Sequence, residues 1–287
     1  MSRSLRQAID VATAALARAG IDSARIDAEL LAAHLAGTDR GRLATIDEPD
    51  ADFFRRYDEI IDARRTRIPV QHLTGSAPFG PLDLTVGPGV FIPRPETEAL
   101  LEWALAQRMP EHPVIVDLCT GSGALAIALA TARPQARVIA VDDDPTALGY
   151  ARRNAESTAV EVVRADVTVA GLLPELRGSV DLVVSNPPYI PLGAQLEPEV
   201  ADHDPAHALF GGDDGMAVIG PMARLAGGWL KPGGFFAVEH DDTTSQLTVE
   251  TISATELFTD ITPRHDLAGR PRFVTACRTA CNPKEPA

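Results

Sequence analysis

Cysteine is scarce: the 287 residues contain three, Cys119, Cys277 and Cys281. Their spacing matches neither a metal-ligand set nor an even-numbered disulfide framework, which favours a reducing compartment, with the cytoplasm as the default. Long apolar runs are missing too. No stretch approaches the roughly 20 residues a membrane-spanning helix needs. The opening MSRSLRQAIDVATAALARAG spaces its polar residues like an amphipathic helix, without the continuous apolar centre of a signal peptide. Positive charge is short: 26 Lys and Arg face 40 Asp and Glu, a formal net charge of −14. Holding a long phosphate backbone takes Lys and Arg to neutralise it, so direct nucleic-acid binding is not expected; nor, without a long apolar run, is a membrane partner. Aromatics make up 5% against 45% hydrophobic residues, so the chain is globular with an aliphatic, Ala-rich core.

The length exceeds what one core usually serves, and a large domain with a small companion is expected. Residues 1–75 are nearly neutral, with 11 Arg against 12 Asp and Glu, so almost all the net charge sits in the remainder. Apolar positions recur at three- and four-residue intervals over 4–19, 24–36 and 51–67, with Gly20, Gly37 and Pro49 as breaks. That predicts a helical bundle over 1–74, and composition leaves open whether it is a packing appendage or a recognition module. GSAPFGPLDLTVGPGVFI, within 75–94, alternates between Gly/Pro pairs and reads as a β-hairpin linker. From 95 to 280 a helix leads into alternating strands and helices. The strands are VIVDL, RVIAVD, VEVVRAD, VDLVVSN, GFFAVEH and RFVTACR. Such alternation predicts an α/β fold whose mostly parallel sheet is covered on both faces. The tail CNPKEPA is expected to fray.

Three features end successive strands, where ligands bind in open α/β sheets. In VDLCTGSGALAIALA, Gly121 and Gly123 permit a tight turn whose backbone can approach a ligand. The spacing is not G-x-G-x-x-G and lacks G-K-[ST], which demotes phosphate binding. Asp142, about 20 residues on, can accept both hydroxyls of a ribose, while Asp144 and Pro145 cap the next helix. Asp166 in VVRADVT can meet an adenine amino group. Together they point to an adenosine cofactor bound without phosphate, and S-adenosylmethionine fits best.

SNPPYI, residues 185–190, follows the fourth strand. Its prolines fix φ and restrict Asn186 to extended conformations, giving a rigid loop. Asn186 offers a carbonyl acceptor, the Pro187 backbone carbonyl a second, and neither proline offers an N–H. Two fixed acceptors suit a planar –NH2 group, with Tyr189 as a flat wall. Gripping both N–H protons orients a delocalised nitrogen lone pair and favours the positive charge that develops on methylation.

DLCTGSGA and SNPPYI, with FIPRPETE at 91–98 ahead of them, strongly resemble the bacterial release factor glutamine methyltransferases, the PrmC family. VQHLTG, ALFGGDDGM, LKPGGFFAVEH and DLAGRPRFV extend the resemblance over nearly the whole chain. It implies a five-helix N-terminal domain that recognises release factors, a β-hairpin linker and a seven-stranded, Rossmann-like class I methyltransferase domain. The implied reaction methylates the side-chain amide nitrogen, N5, of the glutamine in the Gly-Gly-Gln motif of peptide chain release factors 1 and 2, leaving S-adenosylhomocysteine. Carried over, Cys119, Thr120, Gly121, Ser122 and Gly123 would surround the methionine part of the cofactor and Asp142 the ribose. Asp166 and Val167 would border the adenine, and Phe91 would close over the cofactor. Asn186, Pro187, Pro188 and Tyr189 would grip the glutamine amide, with Asn186 and Tyr189 as the catalytic pair.

Cys119 stands where that family usually has glycine, which is tolerable if the position does not need φ > 0. Asp204-Pro205 replaces Glu-Pro, and Glu239-His240-Asp241 replaces Glu-His-Gly; both are expected to lie outside the chemistry. His34, His72, His203 and His240 have no metal-ligand spacing, and Cys119 reads as a packing residue, not a nucleophile. NPPY alone is shared with adenine-N6 DNA methyltransferases, and a nucleic-acid amino methyltransferase acting on adenine N6 or guanine N2 is the main alternative. A non-catalytic S-adenosylmethionine-binding scaffold is the second.

Overall fold

The computed structural model describes residues 4–47 and 49–280, so the CNPKEPA tail lies outside it. The chain forms two compact units: Met1–Ser76 with Leu196–His203, and Ala77–Gln195 with Asp204–Ala287.

The first unit is helical. α1 (Leu5–Arg18) starts in a capping box, Ser4 Oγ accepting from the Gln7 N–H and Gln7 Oε1 from the Ser4 N–H. α2 (Ala24–Ala36) ends at Gly37, whose φ of 61° turns the chain out of the helix. α3 (Ala51–Arg65) is capped by Asp50, Oδ1 accepting from the Phe53 N–H at 2.8 Å. α4 (Val70–Thr74) is a single turn. Leu16, Leu31, Tyr57 and Ile61 close the core, and the Tyr57 hydroxyl donates to the Ala28 carbonyl at 2.9 Å. The three long helices coincide with the periodic segments of the sequence.

The second unit is built on a sheet. β1 (Ser76–Phe79) and β2 (Leu82–Thr85) pair as a separate two-stranded ribbon, and a 3-10 turn at Pro95–Thr97 leads into α5 (Glu98–Ala106). β3 (Val114–Leu118), α6 (Ala124–Ala132), β4 (Arg137–Asp142), α7 (Pro145–Asn154), β5 (Glu161–Arg164) and β6 (Val180–Ser185) follow. α8 (Pro198–His203) belongs to the first unit; the second continues with α9 (Ala206–Leu209), α10 (Ile219–Trp229), β7 (Leu230–Glu239), α11 (Ser245–Ser253), β8 (Phe258–His265) and β9 (Pro271–Arg278). The strand order is β5-β4-β3-β6-β7-β9-β8, parallel from β5 to β7, with β9 antiparallel to both its neighbours. Alternate residues feed opposite faces: Val116, Val183 and Phe236 enter one core, and Ile115, Leu182 and Ala237 the other. β8 is the strand that the alternation in sequence did not give. It is an edge strand, mostly exposed, carrying Pro263 and a register shift between Thr259 and Thr262.

The chain builds β3, β4 and β5 outward in one direction, then returns to add β6 on the other side of β3. This is the switch point at which open α/β sheets bind ligands. Leu118 pairs with Ser185, so the turn after β3 and Asn186 after β6 leave the sheet side by side.

Candidate active site

A cavity of about 300 Å3 opens at these strand ends. Of the expected cofactor residues, Cys119, Thr120, Gly121, Ser122, Asp142, Asp166, Val167 and Asn186 line it, and Phe91 does so as well. Gly123 does not. It is the N-cap of α6 at φ 90°, where a Cβ would fall 2.8 Å from Ile127 Cδ1, so glycine there serves backbone geometry and helix packing. Pro205, His207 and Ala208 line the cavity too, so the segment around Asp204-Pro205 reaches the site that sequence reasoning kept it from.

Asp142 fastens the glycine turn. Its Oδ2 accepts from the Gly121 N–H at 2.8 Å and its Oδ1 from the Asp144 N–H at 3.0 Å. Burial raises its pKa, and those two N–H donors oppose the rise. Asp144 in turn caps α7 through the Ala147 N–H at 2.7 Å, so a cavity-lining carboxylate and a cap coexist as the sequence implied. Asp166 is exposed; its Oδ1 accepts from the Thr168 hydroxyl and N–H, which lower its pKa.

Cys119 departs from expectation. Its φ is 57°, the left-handed region that costs a side-chain-bearing residue about 1–2 kcal/mol, so this cysteine occupies a position that does take φ > 0. Burial, then the neighbouring Asp142, Asp117 and Asp143, push its thiol pKa well up, so the sulfur is a protonated packing group.

Asp117 was passed over in the sequence, although a carboxylate inside the apolar strand VIVDL is a signal in itself. It is 1% exposed and lines the cavity. Its Oδ2 accepts from the Thr120 hydroxyl and from the Ala126 N–H at 3.1 Å, while Oδ1 has no hydrogen-bond partner among the described residues. Burial raises its pKa to about 7. A buried acceptor left over beside a glycine turn fits a ligand with an ammonium group there.

At the other wall, Asn186 Nδ2 donates to Thr97 Oγ1 at 3.1 Å, and Thr97 Oγ1 donates to Glu239 Oε2 at 2.8 Å. The Tyr189 hydroxyl donates to Glu239 Oε1 at 3.0 Å. Glu239 is 1% exposed, and burial raises its carboxyl to about 7. Burial likewise pushes the Tyr189 phenol well above its usual value and keeps it neutral. Pro188 lines the cavity beside Asn186; Pro187 and Tyr189 do not, so the flat wall expected of Tyr189 gives way to an anchor whose hydroxyl points at Glu239. The loop is latched from behind: the Tyr189 and Ile190 N–H groups donate to the Leu209 carbonyl at 3.1 and 2.8 Å. A Cβ on Gly215 would lie 2.3 Å from the Tyr189 carbonyl oxygen, which explains a glycine in ALFGGDDGM. Glu239, expected to lie outside the chemistry, sits directly behind Asn186. The signal for it is register: Ser185 pairs with Val238, so the next residues, Asn186 and Glu239, are neighbours.

Comparison with known proteins agrees with this geometry. Residues 7–75 match the PrmC N-terminal domain family and residues 83–203 the methyltransferase small domain family. The release factor glutamine methyltransferase of Mycolicibacterium smegmatis is 67% identical over 276 residues, covering 96% of this chain and 98% of that protein. That of Mycobacterium tuberculosis strain H37Rv is 66% identical over 278 residues, covering 96% and 91%. Among solved structures, a methyltransferase from Pyrococcus furiosus is similar with a TM-score of 0.50 and 19% identity, over 70% of this chain and 90% of that one, a likeness of fold. With relatives at two-thirds identity over nearly its full length, the chain belongs to the release factor glutamine methyltransferase family.

Proposed function

We propose that this enzyme methylates the side-chain amide nitrogen, N5, of the glutamine in the Gly-Gly-Gln motif of peptide chain release factors 1 and 2, in the cytoplasm, with S-adenosylmethionine as donor. The observation that carries the reading is the commitment of Asn186 Nδ2 to Thr97. It leaves Oδ1 as the end of the Asn186 amide that can face a ligand, an acceptor for a substrate N–H. The Pro187 carbonyl, beside Asn186 in the chain although Pro187 is not part of the cavity lining, is the second acceptor the resemblance implies, on a loop that two prolines and the Leu209 latch hold rigid. Two acceptors take both N–H protons of a primary amide, leave its nitrogen lone pair unobstructed, and favour the charge that nitrogen acquires.

S-adenosylmethionine, when bound, supplies an electrophilic methyl group on a sulfonium. The chain's own residues bind and orient it: Asp117 takes the ammonium, the Cys119–Ser122 turn the methionine part, Asp142 the ribose, Asp166 and Val167 the adenine. Phe91, with the Arg94 guanidinium 4.9 Å from its ring centre, shields the cavity. The helical domain, residues 1–74, reads the body of the release factor, residues 75–94 link, and residues 95–280 carry the chemistry. A net charge of −14 weighs against duplex DNA as substrate.

The test is transfer of labelled methyl to a purified release factor, to its Gln→Ala variant in the Gly-Gly-Gln motif, and to duplex DNA. Label on the glutamine form alone is expected. Equal label on the Ala variant, or label on DNA, overturns the assignment.

A further inference from the structure

Among the described residues, Glu239 neither lines the cavity nor has a cationic side chain at hydrogen-bond distance, yet it terminates both chains of donors that lead back from the Asn186–Tyr189 loop. An ionised carboxylate accepts only. The Thr97 hydroxyl therefore gives its single proton to Glu239 Oε2 and turns a lone pair toward Asn186, and only an N–H donor can answer that lone pair. We propose that Glu239 is a positioning residue that, acting through Thr97, dictates which end of the Asn186 amide faces the substrate. This inference rests on the amide-methylation reading above and deepens it.

The alternative state follows from the same inventory. A protonated Glu239 can donate to Thr97 Oγ1, which frees the Thr97 proton for Asn186 Oδ1. The Asn186 amide then turns its –NH2 to the cavity, where it opposes the –NH2 of the substrate. The active form is the carboxylate, and activity falls as pH drops through the ionisation of Glu239. Burial, which raises the pKa, and four groups beside Glu239 set where that happens. The Thr97 and Tyr189 hydroxyls and the Arg272 guanidinium on β9 favour the anion, while Glu96, in the turn before α5, disfavours it. The adjacent His240, whose Nδ1 lies 2.8 Å from the Asp241 carbonyl oxygen, is itself held toward neutrality by burial. Arg272 is always charged, so Glu239 is the titrating member near neutrality. Glu239 reaches Asn186 through the Thr97 hydroxyl, so replacing Thr97 tests that path.

The experiment uses four full-length proteins: wild type, Glu239→Gln, Thr97→Val and Thr97→Ser. Each is measured for kcat against pH from 5.5 to 9 with release factor, for S-adenosylhomocysteine affinity, and for the Asn186 side-chain NH2 signals by NMR across the same pH range. Wild type and Thr97→Ser, which keeps the hydroxyl, are expected to lose activity about tenfold per pH unit below neutrality, with Asn186 signals following the same midpoint. Glu239→Gln and Thr97→Val are expected to lose about 100-fold in kcat, the scale for removing one aligned hydrogen-bonding group. Their affinity for S-adenosylhomocysteine should change less than threefold, and the acid limb and the Asn186 titration should vanish. A purely structural role would lower cofactor affinity and leave the limb in place, and that result overturns the proposal. So does a Thr97→Val enzyme with wild-type kcat. If no variant, wild type included, methylates release factor while the Asn186 signals still follow Glu239 only when Thr97 is present, the substrate assignment fails and the positioning role stands. Asn186 signals that ignore pH in wild type refute the positioning role whatever the substrate.

Discussion

The two units treat buried charge in opposite ways. In the helical unit, Arg64 has a side chain 3% exposed and is fully answered: Nε donates to Asp27 at 2.8 Å, Nη2 to Glu199 at 2.7 Å and Nη1 to the Ile68 carbonyl at 3.1 Å. In the sheet unit, Asp117 and Glu239 are as deeply buried, yet hydroxyls and one backbone N–H are what bond them, and burial lifts both to about 7. A saturated buried charge holds structure. Asp117, whose Oδ1 is unbonded among the described residues, is held ready for a ligand, because its missing interaction is what binding supplies, while Glu239, bonded at both oxygens by hydroxyls, is held to orient its neighbours.

Arg64 should therefore show the largest stability effect. Arg64→Met leaves Asp27, 5% exposed, without its cation, and removing one member of a buried pair costs about 3–5 kcal/mol. Chemical denaturation should show that loss while S-adenosylmethionine affinity stays at the wild-type level. Adding Asp27→Leu should recover most of the loss, since a well-packed apolar pair is about as stable as the ion pair it replaces. An Arg64→Met protein with unchanged stability would break the contrast at its helical end.

Asp117→Asn should reverse the pattern. Asparagine's carbonyl oxygen can keep the bonds from Thr120 and Ala126, so folding should be spared. The charge offered to an ammonium is lost, and a charged hydrogen bond is worth about 1.5–3 kcal/mol, so S-adenosylmethionine should bind about 10- to 100-fold more weakly by calorimetry. Normal affinity with a large loss of stability would make Asp117 a structural residue after all.

A smaller effect comes from pH. Glu239 and Asp117 have folded pKa values raised to about 7 from 4.5 and 3.8, so their contribution to stability is fully present below those lower values and is lost as pH rises through about 7. Glu29 in the helical unit runs the other way. Hydrogen bonds from Arg40 and Arg25 lower its pKa, so its contribution is present above 4.5 and lost as pH falls through its depressed value. In thermal melts, the Asp117→Asn/Glu239→Gln double variant should gain on wild type as pH rises from 5 to 8. A constant difference would mean that the two carboxyls are not strained by burial.

Regular elements were legible in the sequence because burial on one side forces a period: α1, α2, α3 and β3–β7 each sit where apolar spacing put them. β8 was not, because an exposed edge strand has no buried face to impose alternation. The cavity wall followed from strand ends, and Asp142, Asp166 and Asn186 all reach it. Glu239 stayed hidden for a different reason: it acts from behind the wall, and its meaning lies in which neighbour it bonds, a fact of strand register that no local motif encodes. Asp117 lies in the wall itself, and its signal, a carboxylate inside an apolar strand, was present in the sequence.

Cys119 carries the smallest and finest of these effects. Sequence alone made cysteine acceptable on the condition that φ stay negative, and the condition fails at 57°. Two opposing quantities then meet at one residue. Glycine would relieve about 1–2 kcal/mol of left-handed strain but forfeit the packing of a thiol that touches the core cluster beneath the sheet end. The two nearly cancel, so Cys119→Gly should change stability by less than about 1 kcal/mol. Valine keeps the bulk and worsens the strain, because a β-branched residue tolerates positive φ least, so Cys119→Val should destabilise by more than about 1 kcal/mol. The ranking glycine near cysteine, valine well below, is readable in denaturant midpoints. If valine matched cysteine, the turn would have to be free to leave φ > 0, and the rigid cradle inferred from Gly121 and Asp142 would lose its basis.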